Sequence, residues 1–143
     1  ADLPGIIEGA HAGKGLGDRF LRHIERTRVI LHLVDVAPLA PPAPDVAYRT
    51  IRGELTAYSP ALASKREIVV ANKTELPDAE EGVKLLEEAC GGPVHRISAV
   101  TGAGVRELAL HLFHVLEEIG GAPAPEPEIW RDAPDTVPPT AEA

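Results

Sequence analysis

Apolar residues gather along the chain in short blocks, and the spacing inside each block assigns its element. Residues 29–36 read V-I-L-H-L-V-D-V, a nearly continuous apolar run of the kind found in a strand buried on both faces of a parallel sheet. Residues 68–71 (I-V-V-A) and 94–98 (V-H-R-I-S) predict two further strands. Between these runs the apolar positions recur at helical spacing. Phe20, Leu21 and Ile24, with arginines between them, predict a short helix that Asp18 can cap. A second helix starts at Asp45 and turns Val46, Ile51, Leu55, Tyr58 and Leu62 inward, with a frayed or kinked last turn at Pro60. Asp78 and Glu81 have capping-box spacing before a helix carrying Val83, Leu86 and Ala89, which Gly91-Gly92 ends. Leu108, Leu112, Val115, Leu116 and Ile119 place a last helix over residues 105–119.

Strand and helix alternate, which predicts an α/β fold: a parallel sheet with covering helices. Ligands of such sheets bind beyond the C-terminal ends of the strands. Three polar stretches fall there: residues 2–5, residues 72–75, and Ser98 with Ala99. Residues 37–44, A-P-L-A-P-P-A-P, are a connector, because proline fits neither a helix interior nor a central strand. The composition changes again at residue 122. The last segment holds six prolines, several acids and a lone large anchor, Trp130, and is expected to be a disordered tail or linker. The expected division is therefore residues 1–121 and residues 122–143.

At 143 residues the chain suits one domain. Aromatics are only 3 %, so the core is aliphatic. A net charge of −8 gives no general attraction for nucleic acid or anionic lipid, and no DNA-binding motif is present. Arg19, Arg22, Arg26 and Arg28 read as a solvated helix face. Cys90 is the only cysteine, which excludes an intrachain disulfide and a cysteine zinc site and fits a reducing, cytoplasmic setting. His111 and His114 stand three apart on the last helix and read as surface residues, since nothing suggests a third metal ligand. No apolar run approaches the ~20 residues of a membrane span, and no secretory signal is expected. The chain has no Met and opens abruptly, so a fragment is expected.

Two of the polar stretches carry readable chemistry. In residues 1–17 Asp2 is followed by Gly5 and then by Gly9, Gly13, Gly15 and Gly17. An acid at a strand end, next to a glycine amide and a mobile loop, is how an α/β protein senses a terminal phosphate through magnesium. The other reading is a flexible chain end. In Asn72-Lys73-Thr74-Glu75 the asparagine amide can bond a purine Hoogsteen edge and tie loops together, and the lysine stem can lie along a base. The Glu75 carboxylate can accept two N–H donors from guanine, where adenine offers an acceptor. The other reading is a polar turn after a strand. Ala99, in S-A-V-T-G, is small enough for a base to approach, and its amide can donate to a carbonyl oxygen.

D-L-P-G, N-K-T-E and S-A, in this order on successive strand ends, resemble the third, fourth and fifth boxes of a translation-factor-class GTPase. The stretch D-L-P-G-I-I-E-G-A-H-A-G-K-G-L-G-D-R-F-L-R-H-I-E-R-T-R is similar to the switch II region of the Obg family, and the resemblance covers roughly residues 1–120. It implies a partial P-loop NTPase-type sheet lacking the P-loop strand, a GTP or GDP ligand with magnesium, and ribosomal large-subunit particles as partners. The implied nucleotide-binding residues are Asp2, Leu3, Pro4, Gly5, Asn72, Lys73, Thr74, Glu75, Ser98, Ala99 and Val100. Asp2 would hold magnesium through water, and the Gly5 amide would meet the γ-phosphate. Gly9 to Gly15 do not form a P-loop: the spacing is one residue short, and Gly15 stands where the motif needs a hydroxyl. The family's fourth box usually ends in Asp, and Glu75 departs from it by one methylene. Ile6 stands where many GTPases carry a glutamine that orients the attacking water, so slow intrinsic turnover and help from elsewhere are expected. No catalytic residue is identified.

Two other readings stay open on the residues alone. Without a P-loop the chain is a non-catalytic α/β interaction module or inert fragment; with Glu75 it is an ATPase of related fold. For the chain by itself, an unpaired edge along residues 29–36, weak GTP binding and self-association are expected.

Overall fold

The computed structural model describes residues 27–38 and 41–120. The helix expected after Asp18, the segment of residues 2–5 and the proline-rich tail lie outside them. Among the described residues three parallel strands form the sheet: β1 (Val29–Asp35), β2 (Arg66–Asn72) and β3 (His95–Arg96), side by side in chain order. Helices α1 (Pro44–Tyr58) and α2 (Pro60–Ala63) connect β1 to β2, α3 (Ala79–Cys90) connects β2 to β3, and α4 (Val105–Ile119) follows.

The break expected at Pro60 is a complete stop. A residue before proline is driven out of the helical region. Ser59 accordingly takes φ −158°, ψ 121°, ends α1, and caps α2 by accepting the Leu62 N–H at 3.3 Å. Helix α1 also starts one residue before Asp45, and its phase buries Tyr48 rather than Val46, which is exposed. Tyr48 sets that phase by stacking on His32 of β1, with ring centroids 5.1 Å apart. The capping box at Asp78 does not form. Asp78 has φ −91°, ψ 4°, outside the extended region a capping residue needs, and its side chain makes no cap bond. The first amide of α3 instead donates to the Leu76 carbonyl of the preceding turn. The C-terminal expectation holds: Gly91, at φ 77°, ends α3.

The two faces of the sheet are covered unequally. On one face Val34, Val36 and Ala71 pack with Tyr48 of α1 and with Ala79, Val83 and Leu86 of α3, while Ile30 meets Leu55 and Leu62. Burying a leucine such as Leu55 or Leu86 contributes about 1.5–3 kcal/mol. On the other face Leu108 and Val115 of α4 cover Ile68, Val70 and Ile97 but reach β1 only at Val29. Leu31 and Leu33, in register with Ile68 and Val70, stay 39 % and 48 % exposed. The strand read as buried on both faces is therefore buried on one. The third strand is also shorter than residues 94–98. Ile97 still donates to the Ala71 carbonyl, but its own carbonyl accepts from Thr74, which turns the ladder into a loop.

Two glycines let helices press onto strand ends. A Cβ on Gly82 of α3 would stand 1.8 Å from the Val36 carbonyl oxygen, and one on Gly104 would stand 2.1 Å from that of Arg96. Both fix the C-terminal edge of the sheet.

Candidate functional site

All three strands end on that edge, and the chain leaving each is tied to its neighbour. Asp35 and Asn72 are register partners, and the Val36 N–H donates to the Asn72 carbonyl at 3.1 Å. Beyond Asn72 the chain turns through Lys73, whose φ of 70° makes it the one non-glycine residue with positive φ among those described. The turn is anchored on its far side by Thr74, whose N–H and hydroxyl both donate to the Ile97 carbonyl, at 3.3 and 2.9 Å. The loops after β2 and β3 are then bridged directly: the Ala99 N–H donates to Asn72 Oδ1 at 3.1 Å.

This geometry sorts the residues expected at the site. Asn72, Lys73, Thr74, Glu75, Ser98, Ala99 and Val100 come together on the one edge. Thr74 and Ser98 spend their hydroxyls inside the protein; Ser98 is buried, and its Oγ accepts the Thr101 N–H at 3.1 Å. Lys73, Glu75, Ala99 and Val100 are the exposed members. The Ala99 amide, expected to meet a ligand carbonyl, is here donated to Asn72. The Asn72 side-chain NH2 has no hydrogen-bond partner among the described residues. Glu75 has no ion-pair or hydrogen-bond partner among the described residues, so both its oxygens are open. Asp2, Leu3, Pro4 and Gly5, including the proposed magnesium contact, lie outside the described residues. Among the described residues no group of three metal-binding side chains is present, and no helix is long and apolar enough to cross a membrane.

Asp35 joins the group although it belongs to none of the three polar stretches. Its Oδ2 lies 2.6 Å from Lys73 Nζ, and its Oδ1 accepts the Ala37 N–H at 3.0 Å. The available signal was its place as the last polar residue of an apolar strand.

A second polar cluster lies about five residues back along β2, roughly 16 Å from the edge. His32 is buried, and its Nδ1 is 2.8 Å from Glu67 Oε1. A carboxylate only accepts, so Nδ1 carries the proton. Glu67 Oε2 also accepts from the Tyr48 hydroxyl at 3.4 Å and lies 3.4 Å from Arg52 Nη1. Burial raises the pKa of the Tyr48 phenol, with the Glu67 carboxylate adding to it. On the opposite face His95 packs against His111, with ring centroids 4.4 Å apart, and its pKa is lowered by burial and then by His111. His111 is thus half-buried rather than a surface residue, while His114 is exposed.

A parallel sheet with helices on both faces and a polar, loop-bridged C-terminal edge is the architecture of a partial P-loop GTPase fold. A family model described as a 50S ribosome-binding GTPase matches residues 1–73. The chain is 50 % identical over 129 residues to the GTPase Obg of Desulforudis audaxviator, covering 89 % of this chain and 30 % of that protein. It is 51 % identical over 119 residues to the GTPase Obg of Bacillus cereus (strain Q1), covering 82 % and 28 %. The corresponding match in Desulfatibacillum aliphaticivorans is 48 % over 125 residues, covering 87 % and 37 %. The chain belongs to the Obg family of GTPases. It spans about a third of the length of the curated relatives it matches.

Proposed function

We propose that residues 72–75 and 98–100 form the base-binding part of a guanine-nucleotide site in an Obg-type protein that hydrolyses GTP. The observation that carries this reading is the Asn72–Ala99 bridge, which joins the two loops into one rim at the C-terminal edge of the sheet. In this reading the Asn72 amide donates to the Hoogsteen edge, the Lys73 stem covers one face of the base, and Glu75 accepts two N–H donors from guanine. Entry of the base carbonyl requires the Ala99 amide to be shared with, or released by, Asn72. Asp2 and Gly5 are the candidates for magnesium-bound water and for the γ-phosphate. Magnesium would supply charge neutralisation of the phosphates. The reaction is phosphoryl transfer to water, with large ribosomal subunit particles as its setting; the description of the matched family supports that setting.

The test is titration of the full-length protein with fluorescent GDP, competed by ADP and by xanthosine diphosphate. GDP is expected to win over ADP. Glu75→Gln should weaken GDP by roughly tenfold to hundredfold, the worth of a charge-assisted bidentate contact, and weaken the xanthine nucleotide less. Equal affinity for ADP would transfer the site to adenine, and unchanged GDP binding in Glu75→Gln would remove Glu75 from it.

A further inference from the structure

We propose that Asp35, the last residue of β1, is a positioning residue of the base site: its carboxylate holds the Lys73 ammonium, and so holds the lysine stem across one face of the base. The proposal rests on the guanine-nucleotide reading and adds to it a residue from a strand that carries none of the three polar stretches.

Four observations converge on it. The Asp35 carboxylate is itself fixed, because Oδ1 accepts the Ala37 N–H while Oδ2 faces Lys73 Nζ at 2.6 Å. The backbone that follows Asp35 is held from two sides, by the Val36–Asn72 hydrogen bond and by Gly82 packed against the Val36 carbonyl. Lys73 leaves its strand in the left-handed region, which few side chains other than glycine adopt, so its backbone direction is also specified. The lysine stem has four rotatable carbons and is half-exposed; unpaired, it would sample many rotamers and cover a base only part of the time. Clamping the ammonium removes that freedom.

The pairing also decides where charge is available. Glu75 lies two residues beyond Lys73 and has no partner among the described residues. With the lysine charge directed to Asp35, the Glu75 oxygens remain open for the donors of the base. Asp35 thus serves specificity as well as stacking.

The experiment is stopped-flow release of fluorescent GDP from the full-length protein. Asp35→Asn keeps an oxygen for the Ala37 amide and removes the charge that holds Lys73. Both partners are partly exposed, so release is expected to quicken about two- to fivefold, the range for such a pair. Asp35→Glu should restore part of the wild-type rate, which a merely structural role for the turn would not. On a Lys73→Met background Asp35→Asn should add nothing. If thermal melting shows that Asp35→Asn is unfolded, Asp35→Ser, which also accepts from Ala37, takes its place. Unchanged release in a wild type that binds GDP, or independent effects of the Asp35 and Lys73 changes, would overturn the positioning role alone. A wild type that binds no GDP would overturn the nucleotide reading beneath it.

Discussion

Replacing Glu67 tests what holds β1 against α1. In Glu67→Ala the buried His32 Nδ1–H loses its acceptor at 2.8 Å. An unsatisfied buried donor of this kind costs about 1–3 kcal/mol. Arg52 also loses its carboxylate: its Nη1 is buried without a hydrogen bond, so losing the charge at 3.4 Å adds about 1 kcal/mol although the side chain as a whole is 28 % exposed. The Tyr48 hydroxyl, at 3.4 Å, contributes little. The expected loss is about 2–4 kcal/mol. Glu67→Gln keeps an oxygen for the imidazole N–H and should cost about 1 kcal/mol. His32→Phe preserves the stack on Tyr48 and removes the donor, so much of the Glu67→Ala penalty should vanish on that background. Urea denaturation of the four variants, read as shifts of midpoint at constant m, supplies the comparison. Equal losses for Ala and Gln, or a loss for Ala below about 1 kcal/mol, would refute the assignment of the energy to the His32 hydrogen bond.

Gly82→Ala should lower stability by roughly 1–3 kcal/mol or more, because its Cβ would stand 1.8 Å from the Val36 carbonyl oxygen; the ~1 kcal/mol of added helix propensity offsets only part. A thermal melt that does not fall would show that α3 can shift freely away from β1. His95 has a pKa lowered from 6.5 in the folded state, by burial first and by His111 second, so the folded protein favours the neutral imidazole. Its contribution is complete above pH 6.5 and is lost as the pH falls through the folded value. His95→Gln should therefore flatten the acid limb of stability against pH, and an unchanged limb would exclude this residue as its source.

The alternation of elements was legible because the apolar runs of β1 and β2 and the helical spacing of α4 are strong local signals. The exposed Leu31 and Leu33 were not, since a sequence run records apolarity but not which helix arrives to cover it. Val46, expected on the inner face, is exposed and Tyr48 is buried for a related reason: the phase of α1 follows from a ring on another element, His32. The residues proposed for the base site could be placed together because strand ends in a parallel sheet share an edge. Their hydrogen-bond partners could not. Thr74 and Ser98 turn inward, Ala99 donates to Asn72, and Asp35 reaches Lys73 through a register match that only pairing of β1 with β2 creates. The polar core of His32 and Glu67 left a faint trace, one ionisable residue within or beside each of two apolar runs.

The strands lie in the sheet in the same order as in the chain, and this has a consequence for biosynthesis. A polypeptide emerging N-terminus first, at ~5–20 residues per second, can pair β1 with β2 before β3 has been made. Asp35 and Lys73 can then meet while Ile97 and Ala99 are still unsynthesised. The carbonyl that anchors Thr74 and the amide that closes on Asn72 both arrive with the last strand. The rim assigned to the base therefore closes only after the first two strands have paired, and a nascent chain halted before residue 97 carries the lysine clamp but an open rim.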